Sequence, residues 1–467
     1  MNLLDNLLLN TDSYKSSHFL QYPPDASGMF SYFESRGGAF AATVFFGLQI
    51  ILKDYLSKPI TAAQIDAAAE FWRAHGEPFD EAGWRYILAE HGGHPPVTIR
   101  AVPEGTRVPG HNALFTVECT DPRVYWIISH LETLLVRVWY PITVATQSWE
   151  IKRLIREYLI ATSDDPEGQL PFKLHDFGAR GVSSGESAAI GGCAHLVNFR
   201  GTDTVSGILA AREYYGEPMA GFSIPAAEHS TITAWGREDE AAAYRNMLRH
   251  FAQPGALLSV VSDSYDVFNA VENLWGGALR EEVVQSGATL VIRPDSGDPV
   301  AVVGKVAEIL DRRFGSSVNG KGYKVLRQVR ILQGDGVNAH SITAILERLQ
   351  ALGFAADNIA FGMGGALLQR LDRDTLKFAL KCSAIRRGTA WLPVSKDPVT
   401  DPGKRSKAGR LSLFRSETTG EYATLPLVDG QPPGPEWRDA METVWERGRL
   451  LRDWSFAEVR ARAGRFV

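Results

Sequence analysis

Hydrophobic positions change their rhythm near residue 170. Before it the pattern is mixed: apolar residues three and four apart mark helices over Ala42–Leu56, Ala62–His75 and Val124–Tyr140, and short apolar runs mark strands at Val97–Val102 and Leu114–Cys119. No strand–helix alternation repeats there. Beyond it, apolar strand segments recur at Phe172–Asp176, Gly221–Pro225, Leu257–Ser262, Thr289–Arg293, Val329–Gln333 and Asn358–Phe361. Helical periodicity lies between most of them, as in Glu238–Phe251, Val300–Arg313 and Ser341–Leu352. Strands separated by helices run parallel, with the helices covering the sheet. Near Ala384 the alternation stops in a proline- and lysine-rich loop, followed by a tail with a terminal helix. The expected division is 1–165, 166–384 and 385–467, with an α/β barrel unit in the middle.

Composition narrows the class. A chain of 467 residues, 45% hydrophobic and 22% charged, is a soluble globular protein too long for one simple core. Its formal net charge of −5 provides no basic field for nucleic acid. The opening MNLLDNLLLN has no basic flank, and Asp5 and Asn6 interrupt its apolar run, which argues against a signal peptide or membrane span and for a cytoplasmic protein. Cys119, Cys193 and Cys382 are widely spaced and form no CxxC pair, so neither disulfides nor zinc are expected.

The candidate chemistry lies in the segments at the strand ends: HDFGARG, SIPAAEHS, SDSYD, RPDSGDP, QGDGV and FGMGG. In parallel α/β folds ligands bind at the carboxyl ends of the strands. Asp176, Asp266, Asp295 and Asp335 would meet Arg180 and Arg293 there, a mixture suited to a ribose, a metal and phosphates; Asp176 is expected only to pair or cap. His229, between Glu228 and Ser230 in a turn, is the foremost candidate for chemistry, although an unplaced histidine is more often a packing residue. Gly364 and Gly365 precede a helix expected over Ala366–Leu371 and could cradle an anion. The loop KDPVTDPGKRSKAGR carries Lys396, Lys404, Arg405, Lys407 and Arg410, read as a polyanion clamp rather than a solvated loop.

The stretches NTDSYKSSHFLQYPP, SYFESRGG, KLHDFGARGVSS, HLVNFRGTDTV, SIPAAEHSTITAWG, VSDSYD, IRPDSGDP, QGDGV, IAFGMGG and KDPVTDPGKRSKAGRLSL together resemble the nicotinamide phosphoribosyltransferases, in the family's order. The resemblance implies a type II phosphoribosyltransferase fold: an irregular, TIM-like α/β barrel, and a β-rich mixed domain built from both chain ends. It also implies a homodimer with active sites shared between subunits. Nicotinamide would lie between Phe177 and Tyr14 of the other subunit, with Asp203 accepting from its carboxamide and Ser223 and Ser262 lining the same region. Arg293, Asp295, Gly334 and Asp335 fall on ribose and phosphoribose positions, and Arg180, Gly364, Gly365, Arg373 and Lys381 on phosphate positions. Arg36, Lys396 and Lys404 fall on pyrophosphate or nucleotide-phosphate positions. His229 matches a histidine phosphorylated by ATP, with Asp266 placed to orient it. Phosphoribosyl pyrophosphate with Mg²⁺, nicotinamide and ATP are the implied ligands, and Asp203 argues against nicotinate as the acceptor. Two departures stand out: the run SRGGAFAATVFFG is shorter and less charged than the family's, and Met363 replaces a small polar residue.

Overall fold

The computed structural model describes residues 5–400, 406–427 and 431–465. Lys404 and Arg405 therefore lie outside the described residues. A six-stranded parallel sheet occupies the middle of the chain, in the spatial order Gly201–Thr202, Leu174–Asp176, Ile359–Met363, Val329–Gln333, Thr289–Arg293, Leu257–Val261. Most of its apolar residues, among them Leu174, Val260, Ile292, Ile331 and Phe361, are fully buried, while Leu257 at the start of the edge strand is exposed. Local chemistry fixes where the covering helices begin. Pro299 occupies the first turn of Pro299–Phe314 while the Asp298 carboxylate accepts from the Ala301 amide. Asn338 caps Ala339–Ala351 in the same manner, through the amides of His340 and Ser341.

The expected strand Gly221–Pro225 does not form. Phe222 makes a single bridge to Gly201 and Ala226 one to Ser259, so this segment touches both edge strands of the sheet. Pro225 offers a carbonyl to the Ser259 amide but has no N–H to continue a ladder. The sheet is thus curled, its edges spanned by an irregular segment, and is not a complete barrel of regular strands.

A second, antiparallel sheet of seven strands runs Ala390–Pro393, Phe378–Arg387, Ala26–Ser35, Ala113–Cys119, Val97–Ala101, Glu442–Glu446, Arg449–Leu450. It draws strands from both ends of the chain. Residue 384, the expected border, lies inside Phe378–Arg387, which pairs along its length with Ala26–Ser35. The helix expected over Ala42–Leu56 is instead a strand, Ala42–Val44, paired with Arg107–Pro109, followed by a helical segment from Leu48 to Leu56. Val124–Tyr140 divides into Ile127–Val136 and the long helix Trp139–Thr162. Pro141 explains the division, because it cannot donate to the preceding turn but is tolerated in the first turn of a new helix. Among the described residues no helix is long and apolar enough to cross a membrane.

Candidate functional site

The carboxyl ends of the parallel strands enclose a cavity of about 540 Å³. Phe177, Arg180, Asp203, Arg293, Asp295, Gly334, Asp335, Gly364 and Gly365, all singled out from the sequence, line it together. A second cavity of about 590 Å³ shares Phe177, Asp203 and Arg293 and continues down the inner face of the sheet, past Ser223, to Leu257 and Thr289.

Phe177 comes directly after the strand Leu174–Asp176, and its position depends on a residue that carries no signal in the sequence. A Cβ on Gly362 would lie 2.0 Å from Cε2 and 2.3 Å from Cδ2 of the Phe177 ring, so only glycine leaves room for the ring. Asp203 comes after the shortest strand, its amide donating to the Asp176 carbonyl. Its carboxylate accepts from the Ser223 hydroxyl at 2.5 Å. It does not cap the helix Val205–Tyr215, whose N-cap Thr204 makes no side-chain bond. Asp176 itself is fully buried; one oxygen accepts from the Gly178 amide at 2.7 Å, and the other has no hydrogen-bond partner. Burial pushes its carboxyl up to about 6.

Asp295 is held by its backbone: its amide donates to Oδ2 of Asp263 at 2.9 Å, and the Ser296 hydroxyl donates to the same oxygen at 2.6 Å. Burial raises the Asp295 carboxyl above its ordinary value, against the pull of Arg293. Arg293 Nε stands 3.6 Å from Asp295 Oδ2 and is buried without a hydrogen bond, leaving a donor beside the cavity. His229 opens the short helix His229–Thr233, and its Nε2 meets Oδ1 of Asp263 at 3.0 Å.

Two expectations are corrected. Asp266 does not orient His229, because its Oδ1 accepts from the amides of Phe268 and Asn269 as a helix cap; Asp263, three residues earlier, takes that place. Ser262 does not line the site. It is fully buried, donating to the Val260 carbonyl and accepting from Trp275 Nε1. The helix after Gly364 is also shorter than expected, a single turn at Gly365–Leu368 that closes as the Gln369 and Arg370 amides return to the Gly365 carbonyl. So short a helix adds little dipole, and the backbone amides of the turn are what an anion would meet.

The remaining expected residues sit elsewhere on the chain. Arg36 directly follows the strand Ala26–Ser35, Lys381 lies opposite Tyr32 on the neighbouring strand, and Lys396 is in the basic loop beyond it. Burial lowers the Lys381 ammonium, with Arg36, Lys396 and Lys15 adding repulsion against the attraction of Glu132, which places these groups in one field. Glu34, a buried carboxylate not anticipated from the sequence, lies beside them and accepts from Arg36 Nε at 3.3 Å and from Lys407. Tyr14 is 57% exposed and packs edge-on against His18. Arg373 is paired with Asp374 at 3.5 Å. None of Tyr14, Arg36, Arg373, Lys381 and Lys396 lines the cavities of the parallel sheet.

Residues 172–429 match the model of the nicotinate phosphoribosyltransferase (NAPRTase) family, and residues 6–99 match the nicotinamide phosphoribosyltransferase N-terminal domain. The chain belongs to this phosphoribosyltransferase family. A nicotinamide phosphoribosyltransferase of Xanthomonas campestris pv. campestris is 62% identical over 463 residues, covering 99% of both chains. One of Mycoplasma pneumoniae is 35% identical, covering 86% of this chain and 94% of its own. In fold, the chain is similar to a nicotinate-nucleotide pyrophosphorylase from Pyrococcus furiosus (TM-score 0.65, 16% identity, 99% and 95% covered). It is also similar to human nicotinic acid phosphoribosyltransferase (TM-score 0.54, 17% identity, 97% and 92% covered).

Proposed function

We propose that this chain transfers the phosphoribosyl group of phosphoribosyl pyrophosphate to nicotinamide, giving nicotinamide mononucleotide and pyrophosphate for NAD salvage, and couples the transfer to ATP hydrolysis. The observation that carries the choice of acceptor is the Asp203 carboxylate, fixed by Ser223, on the same cavity wall as Phe177. It would accept from a carboxamide NH₂ and repel a carboxylate, which favours nicotinamide over nicotinate. The names of the full-length relatives support the same reading.

In this reading the pyridine nitrogen attacks C1 of the ribose with its own lone pair while the C1–O bond to pyrophosphate breaks, so no general base is needed. The task of the protein is alignment and charge stabilisation. Asp295 and Asp335 face the positive charge that develops on the ribose, and Arg180 with the Gly364–Gly365 amides holds the 5′-phosphate. Arg36, Lys381 and Lys396 would receive the pyrophosphate, with Lys404 of the basic loop and Arg373 as further phosphate contacts. Because Tyr14, Arg36, Arg373, Lys381 and Lys396 do not line the cavity of their own chain, a second copy is proposed to bring them to it, making a homodimer with shared sites.

No group of three or more potential metal ligands occurs among the described residues. Mg²⁺ fits as an ion carried by the pyrophosphate and met by one or two carboxylates, Asp295 and Asp335 being the candidates; it would neutralise the leaving group. For ATP coupling, Asp263 engages Nε2 of His229 and leaves Nδ1 as the nucleophile. An Nδ1–P bond forms with the γ-phosphorus as its bond to the bridging oxygen breaks and ADP departs; water later hydrolyses the phosphohistidine. Product analysis with phosphoribosyl pyrophosphate, Mg²⁺ and either nicotinamide or nicotinate, with and without ATP, tests the proposal. Nicotinate mononucleotide as the main product would overturn it.

A further inference from the structure

A cavity of about 780 Å³ lies against the same two loops that bound the catalytic cavity. Asp335 and Gly364 face the catalytic side, whereas Asn338, His340, Met363, Ala366 and Arg370 line the second space. The rest of its wall includes Ala39–Ala41, Arg107, and Glu150 and Arg153 of the helix Trp139–Thr162. Both departures from the family pattern, the short apolar run after Arg36 and Met363, therefore meet here. The small side chains of Ala39 and Ala41 leave the space open.

Charge in this cavity is unbalanced. Arg107, Arg153 and Arg370 face it with a single carboxylate, Glu150. Glu150 lies 3.1 Å from Arg153 and 3.9 Å from Arg107, so it is shared; Arg153 also meets Glu157 at 2.5 Å and Arg107 lies over the Trp149 ring, while Arg370 has no ion-pair partner among the described residues. Arg370 without a carboxylate, beside Arg107 with only a distant one, suits phosphate oxygens, which accept bidentate bonds from a guanidinium. The half-buried Phe40 supplies an apolar face, and the volume falls within the roughly 300–1,000 Å³ of small-molecule sites. We infer that this cavity is a second ligand site, distinct from the catalytic one, that takes a nucleoside phosphate: Arg107 and Arg370 hold the phosphates and Phe40 faces the base. Because the walls are the loops carrying Asp335 and Gly364, the ligand would sit directly behind the groups that hold phosphoribose.

Equilibrium dialysis of the intact protein with a radiolabelled, non-hydrolysable ATP analogue tests this by counting bound nucleotide per chain. The wild type should bind one more equivalent than the double variant Arg107→Gln/Arg370→Gln, whose transfer rate at saturating substrates should stay within about twofold of wild type. Arg370→Gln alone, at an exposed position, should weaken the extra site by about tenfold, the loss of one charge-assisted contact. Tripolyphosphate should compete for the extra equivalent and adenosine alone should not. Equal stoichiometry in wild type and double variant, or competition by adenosine but not by tripolyphosphate, overturns the proposal. The difference of one equivalent is expected whether or not ATP also binds beside His229, so failure of the phosphohistidine reading leaves this test intact.

Discussion

Replacing Gly362 by Ala tests the proposed stacking role of Phe177, because the three atoms nearest the new methyl group all belong to that ring. Its Cβ would lie 2.0, 2.3 and 2.8 Å from three ring atoms, against 3.4 Å for ordinary contact. The ring must therefore retreat by about 1.4 Å, the difference between 3.4 and 2.0 Å, since the close-packed strand beneath cannot yield. A misplacement of about 1 Å in a positioning group costs on the order of 100-fold in rate, about 2.7 kcal/mol of transition-state stabilisation. Steady-state kinetics with phosphoribosyl pyrophosphate saturating should show kcat/KM for nicotinamide falling by about that factor, with the melting temperature lowered by only a few degrees. The double variant Gly362→Ala/Phe177→Leu, with a smaller side chain facing the methyl group, should lose less thermal stability than Gly362→Ala alone. An unchanged kcat/KM in a folded Gly362→Ala protein would refute the claim that the Phe177 ring positions the base.

Other perturbations separate the remaining roles. His229→Ala should abolish ATP hydrolysis and the gain from ATP while a slow, ATP-indifferent transfer persists; continued stimulation by ATP in steady-state assays would contradict the assignment. Asp203→Asn should lower the nicotinamide-to-nicotinate ratio of kcat/KM by about tenfold, the worth of one charge contact at a solvent-exposed carboxylate, whereas a purely structural role would lower stability with the ratio intact. For Asp176, burial raises the carboxyl from 3.8 to about 6, so the folded state binds its proton more tightly than the unfolded chain. Its contribution is full below pH 3.8 and is lost as pH rises through about 6, so urea titrations should show up to about 3 kcal/mol of that loss, and Asp176→Asn should remove this part of the slope.

Legibility in the sequence depends on which interactions are local. Thr289–Arg293, Val329–Gln333 and Ala62–His75 are legible to the residue, because apolar periodicity and caps are written in neighbouring positions. Ala42–Val44 is not, since its strand character depends on Arg107–Pro109, far along the chain. The same limit applies in the site. The polar strand endings announce most of the cavity lining, but the choice between Asp263 and Asp266 as the partner of His229 turns on which of two nearby carboxylates caps a helix. Gly362 and Glu34 carry no local signal of their roles; one makes space for a ring from another strand, and the other is buried beneath cations brought in from the basic loop.

The central claim is that the strand-end cavity and the basic face around Arg36 and Lys381 are halves of one catalytic site, contributed by different copies of the chain. Mixing inactive Tyr14→Ala and Asp203→Ala proteins under conditions of subunit exchange tests it most directly. Each heterodimer would hold one doubly damaged site and one intact site, so nicotinamide mononucleotide formation should recover to about a quarter of the wild-type rate after random exchange. No recovery, with exchange confirmed by mass spectrometry of the mixed dimers, would contradict the account.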